Sequence, residues 1–152
     1  MQGKKVSDSS YETVFFPYPC MFNNTGTMHG VEIFKMIDDI GGAAAMRHSA
    51  SQVVTASVSW LRYISSVYPG ELLILKSSIH LVGRTSMEVG VRAEVENVCK
   101  NERRHVATCF LTYVAIDDEG RSREVPPLIV ETEEEQHRQN QAEERRKLRT
   151  RG

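Results

Sequence analysis

One helical stretch is followed by four strand-like runs with little but turns between them, and few folds accommodate that order. From His29 to His48, Ile33, Ile37, Ile40 and Ala44 recur at i, i+4, i+7 and i+11, the spacing of one helix face. Beyond Ser51, the runs Val53–Ile64, Leu72–Val82, Thr85–Val95 and Arg104–Ile116 are β-prone, with turns at Pro69-Gly70, around Gly83 and over Asn97–Arg103. In the third run Met87, Val89, Val91, Ala93 and Val95 share one face, and Glu88, Arg92, Glu94 and Glu96 share the other. Short turns join antiparallel neighbours, and one helix can cover one face of such a sheet. Gly41, Gly42, Ala43, Ala44 and Ala45 leave room for strands to wrap closely around that helix. The expected fold is therefore α+β: a curled antiparallel sheet around a long central helix. A single layer leaves a sheet edge open, so dimerisation is expected.

The flanks are plainer. Tyr11–Phe16 is β-prone and ends at Pro17, and Pro17–Thr27 reads as loop. Pro126-Pro127 closes the globular part, and Thr132-Glu133-Glu134-Glu135 is a capping box that opens a last helix with an acidic start and a basic end. That helix has almost no apolar stripe, so it is expected to be solvated or to lie against another subunit. The expected organisation is a flexible N-terminus over 1–9, one folded domain over 10–128, and a charged helical tail over 129–152.

With 19 basic and 20 acidic side chains, the chain offers no electrostatic case for a nucleic-acid partner. No apolar run approaches the roughly 18 residues of a membrane span, and the first ten residues do not read as a signal peptide. Three cysteines, Cys20, Cys99 and Cys109, cannot all pair within one chain and fit a reducing cytoplasm.

The suspicious chemistry lies on the long helix. Asp38 shares a face with Phe34, Gly41, Gly42 and Ala45, whereas Asp39 shares one with Glu32, Lys35 and Ala43. Burying a carboxylate is costly unless it is paired or used, so Asp38 is the candidate site acid and general base. The backbone N–H groups of Gly30 and Val31 at the helix start are unpaired and suit a developing oxyanion. Asn23, with Asn24 as its rival, could orient a water or the carbonyl, and His29 could help position a substrate. The turn Gly83-Arg84-Thr85-Ser86 could hold a phosphate or amide group, with Arg47 as a secondary phosphate contact. No G-x-S-x-G elbow is present, the histidines and cysteines lack metal-ligand spacing, and no dinucleotide or P-loop pattern occurs. No metal and no cofactor are expected.

Taken in order, Asn23–Gly30, Lys35–Asp39, Ala45–His48, Val54–Val58, Val82–Val89, Phe110–Ala115, Val125–Leu128 and Glu131–Glu135 resemble one family. It is that of the hotdog-fold acyl-CoA thioesterases, the cytosolic brain-type acyl-CoA hydrolase group and its bacterial relatives. The resemblance implies the hotdog fold and hydrolysis of fatty acyl-CoA to free acid and coenzyme A, which is part of the substrate rather than a cofactor. It implies a site between two subunits, with Asp38 on the helix and Asn23 from the facing subunit, and a trimer of dimers. Relatives usually have a second glycine where this chain has Val31, an acid where it has Phe22, and an acid or amide followed by Phe around Trp60-Leu61-Arg62-Tyr63. The rival reading is a non-catalytic acyl-CoA-binding regulator or a degenerate subunit. Retention of both Asn23 and Asp38, and the lack of a basic DNA-binding extension, favour the enzyme.

Overall fold

The computed structural model describes residues 1–151. A pair of residues, β1 (Lys4–Lys5), leads into a single helical turn, α1 (Val6–Ser9), then β2 (Tyr11–Phe15), the central helix α2 (Gly30–Ser49), and β3 (Gln52–Tyr63). There follow β4 (Leu72–Val82), β5 (Ser86–Asn97), β6 (Glu102–Ile116), the short β7 (Leu128–Ile129) and the last helix α3 (Glu133–Arg151). The long elements lie within three residues of their expected bounds. Among the described residues no helix is long and apolar enough to cross a membrane.

Strands β2 to β6 form one antiparallel sheet in the order β2-β4-β5-β6-β3. Register shifts interrupt β3/β6 at two places, β4/β5 near Ile79 and β5/β6 near Ala93. Bulges of this kind bend and twist a sheet, and here the sheet curls around α2. Ile33, Ile37, Ala44 and Ala45 of α2 are buried against Leu75, Val89, Val91 and Leu111. Both sheet edges, β2 and β3, are open, and β3 carries exposed Val54, Val58 and Trp60.

Two expectations change. Residues 4–9 are structured: β1 pairs in parallel with β7, and Val6 and Ser9 are buried. Arg47 anchors this segment, donating to the Ser10 carbonyl (3.0 Å) and stacking 4.3 Å over the Tyr11 ring. The second change concerns α3, which lies on its own chain, across the face of the sheet opposite α2. Thr132 caps it, accepting from the Glu135 amide, although the Glu135 side chain reaches back to Glu131 rather than to Thr132. Ala142 is fully buried, and the Arg145 guanidinium sits 3.7 Å over Phe110. Arg145 (2.9 Å) and Arg149 (3.4 Å) both reach Glu88, whose side chain is 1% exposed. Docking through cations and one alanine leaves no apolar stripe to read in the sequence.

Under α3, His80 lies directly over Gly90, where a Cβ would come within 2.2 Å of its ring. Burial, and then the charges of Arg138 and Arg145, push the His80 imidazole down to about 3. Burial lowers the His48 imidazole in the same sense. Below the ordinary value of 6.5 the unfolded chain takes up protons that these folded histidines refuse, so stability falls with acidification. For His80 alone the expected loss between pH 7 and pH 5 is about 2 kcal/mol. Urea unfolding at the two pH values should show it, and His80→Gln should flatten the slope; an equal slope in both proteins would contradict the assignment.

Candidate active site

The polar residues of interest gather in two clusters along α2. The first surrounds its start. Phe22 bridges to Met28, and Asn23 organises the turn between them. The Asn23 Oδ1 accepts from Thr25 N (3.0 Å), Thr25 Oγ1 (2.6 Å) and Thr27 N (3.1 Å), while its Nδ2 donates to Thr27 Oγ1 (3.0 Å). One Nδ2 hydrogen remains. Gly26, at φ +85°, supplies the left-handed residue that this turn requires. Asn24 is exposed and carries none of these bonds among the described residues. The Met28 amide is held by the Val67 carbonyl and the His29 amide by the Met21 carbonyl, which sets the entry into the helix.

His29 is the N-cap, exposed and without a side-chain capping bond. Its carbonyl accepts from the amides of Glu32 and Ile33, and the amides of Gly30 and Val31 have no backbone acceptor among the described residues. These are the unpaired donors expected of a helix start. Val31 is 79% exposed, outside the chain's own core.

The second cluster lies two turns along. Asp38 is half-buried and Asp39 exposed, as the helical wheel predicts. Thr55 Oγ1 donates to Asp38 Oδ1 at 2.8 Å, and the Tyr113 hydroxyl lies 3.0 Å from the same oxygen and 2.9 Å from the Asp38 carbonyl. Both donors fix one carboxylate oxygen, and no protein donor reaches Oδ2 among the described residues. Gly41 makes room for the phenol, since a Cβ there would lie 2.5 Å from its oxygen. Burial, then the Asp38 charge, raise the Tyr113 hydroxyl, which stays protonated as a donor. The same two causes push the neighbouring Cys109 thiol up to about 12, which removes it as a nucleophile. Sequence reasoning missed Thr55 and Tyr113, because nothing in a strand pattern says which alternate residue meets a particular helix turn.

The remaining candidates lie apart. The turn after β4 is closed by the Gly83 amide on the Ser86 carbonyl (2.8 Å). Thr85 there accepts from the Ala115 amide, the Arg84 carbonyl accepts from the Val125 amide, and the exposed Arg84 side chain makes a long contact to Glu124 (3.8 Å). Arg47 is engaged with the N-terminal segment. A cleft of about 550 Å³ beneath α3 is lined by His80, Lys76, Arg92 and Arg138. It opens on the sheet face opposite Asp38, and its cations are already paired, Lys76 and Arg92 with Glu94 and Arg138 with Glu134.

A family model described as "Thioesterase superfamily" matches residues 25–98. The chain is 37% identical over 118 residues to the uncharacterized acyl-CoA thioester hydrolase YkhA of Bacillus subtilis, covering 78% of this chain and 69% of that one. It superposes on an apo-hexameric acyl-CoA thioesterase with a TM-score of 0.96 at 35% identity, covering 99% of this chain and 97% of the other. The acyl-CoA hydrolase of Staphylococcus aureus, solved with butyryl coenzyme A, coenzyme A and coenzyme A disulfide, matches with a TM-score of 0.90 at 31% identity, over 97% and 90% of the two chains. Alanine mutants of that enzyme at an aspartate, an asparagine and a threonine have also been solved.

Proposed function

Because this chain belongs to the acyl-CoA thioester hydrolases of the thioesterase superfamily, we propose that Asp38 is the general base of its reaction. Water adds to the thioester carbonyl as Asp38 Oδ2 takes its proton. The oxyanion forms against the Gly30 and Val31 amides. The carbon–sulfur bond then breaks, releasing the acid and, after proton return, the coenzyme A thiol. The single observation that carries this reading is the carboxylate itself, anchored through Oδ1 by Thr55 and Tyr113 with Oδ2 left open. The three positions altered in the Staphylococcus aureus enzyme have the same sequence spacing as Asn23, Asp38 and Thr55, which supports it further.

Val31 and Asp38 are seven residues apart on one helix, about 10 Å along its axis. That is too far to serve one carbonyl, so the two clusters meet across a subunit boundary. Antiparallel pairing of two β3 strands about a two-fold axis near their middle sets the Tyr63 end of one against the Thr55 end of the other. It also closes the open edge and covers Val54, Val58 and Trp60. In this arrangement Asn23 of the facing subunit offers its free Nδ2 hydrogen to the water or the carbonyl. Gly83 to Ser86 and Arg84 are assigned to the coenzyme A portion, and three such dimers to a hexamer, the state named for one solved relative. Arg47, held on Ser10 and Tyr11, has at most a peripheral part in this binding. The catalytic unit is assigned to 10–128 and the charged helical segment to 129–152. The three free cysteines suit a reducing compartment, and the reaction is placed in the cytoplasm.

Subunit mixing tests the shared site. Asp38→Asn and Asn23→Ala proteins, each nearly inactive, are refolded together and assayed for thiol release from acyl-CoA. Half of the dimers are then mixed, and one of the two sites in each is intact, so about a quarter of wild-type activity should return. No recovery would place both residues in one subunit's site. Light scattering of the active enzyme should give a dimer or larger, and a monomer that hydrolyses substrate would contradict the arrangement.

A further inference from the structure

The geometry points to Tyr63 as the residue that positions the Val31 amide for the thioester oxygen. This inference rests on the proposed role of that amide. Tyr63 is the last residue of β3, and its hydroxyl donates to the Gly30 carbonyl at 2.5 Å. The ring end lies over Gly30, where an added Cβ would be 3.3 Å from both Cζ and the hydroxyl oxygen. Glycine at position 30 is therefore what lets the ring settle against the first turn of α2.

The Gly30 carbonyl and the Val31 N–H belong to the same peptide group, which is planar and rigid. A hydrogen bond to that oxygen fixes the plane, and so fixes the direction in which the Val31 N–H points. It also polarises the amide, strengthening its hydrogen as a donor by the cooperative effect of chained hydrogen bonds. The helix ladder takes one lone pair of this oxygen and Tyr63 takes the other. Among the described residues no other side chain bonds this peptide, and the N-cap His29 makes no side-chain capping bond. Burial raises the Tyr63 hydroxyl, keeping it protonated across the working pH range, with its one proton committed to Gly30. Tyr63 is thus a positioning residue acting through the backbone.

Tyr63→Phe keeps the ring over Gly30 and removes only the donor. The expected result is a kcat about tenfold lower with KM within about twofold, the size of one lost hydrogen bond felt only in the transition state. Binding of an S-alkyl coenzyme A thioether, which has no carbonyl oxygen, should be unchanged. Wild-type kcat in Tyr63→Phe overturns the inference. A kcat loss matched by weaker thioether binding also overturns it, since the ring would then only be shaping the entrance. The general-base reading is judged separately by Asp38→Asn: full activity there with a slow Tyr63→Phe would sink the base and leave Tyr63 standing.

Discussion

Asp38→Asn is expected to lower kcat for acyl-CoA hydrolysis by at least about 100-fold, the scale of a lost general base. The substitution is close to isosteric. An asparagine can present its amide oxygen where Oδ1 now accepts from Thr55 and Tyr113, so both donors remain satisfied. What it cannot do is accept a proton at the second position. The fold and the oligomer should persist, with a melting temperature near that of the wild type, and the loss should fall on kcat rather than on KM. Thiol release from a panel of acyl-CoAs measures it. A variant at wild-type rate would remove Asp38 from the mechanism, whereas wild-type protein that binds acyl-CoA without turning it over would favour the non-catalytic acyl-CoA-binding reading.

The largest expected loss of stability comes from Arg104→Met. Glu71 is 3% exposed, and its carboxylate is gripped by both terminal nitrogens of Arg104 (2.6 and 2.7 Å) and by the Tyr68 amide (2.8 Å). Arg104 also donates to the Ser66 carbonyl (2.6 Å). Removing the cation leaves a buried carboxylate without its partner, which costs on the order of 3 kcal/mol or more. The effect extends beyond the pair, because the loop they hold carries Val67. That residue is fully buried, and its carbonyl receives the Met28 amide just before α2. Loosening it should disturb the start of the helix, so activity should fall along with stability. The pH dependence has a definite sign. The Arg104 hydrogen bond holds the Glu71 carboxyl below its ordinary value of 4.5, so its contribution is present above that pH and lost in acid. The gap between wild type and variant in urea unfolding should therefore shrink below about pH 4.5. A gap that stayed constant or widened in acid would rule out the ion pair as its origin.

How much of this was legible in the sequence depended on the period of the pattern. Alternation along β5 and the i, i+4, i+7 recurrence along α2 gave both elements nearly to the residue, because one face of each is buried and burial is what writes the pattern. The helical wheel separated Asp38 from Asp39 for the same reason. Thr55 and Tyr113 were hidden, since their value lies in a meeting between distant segments that Gly41 permits. Residues 4–9 were also missed: a two-residue strand and one helical turn are too short to carry a period. The placement of α3 was misread because charged groups dock it, and a sequence rich in Glu and Arg reads as solvated whether or not its partners are waiting on the sheet.

Under the proposed pairing of two open β3 edges, catalysis becomes a matter of concentration. If each site is assembled from two chains, a lone chain holds two incomplete halves, and dilution below the dissociation constant of the dimer should silence the enzyme without unfolding it. The same association hides the apolar row of Val54, Val58 and Trp60, so a weakened interface would lose activity and gain a tendency to aggregate together. Selection for a working site and selection against sticky strands then act on the same twelve residues.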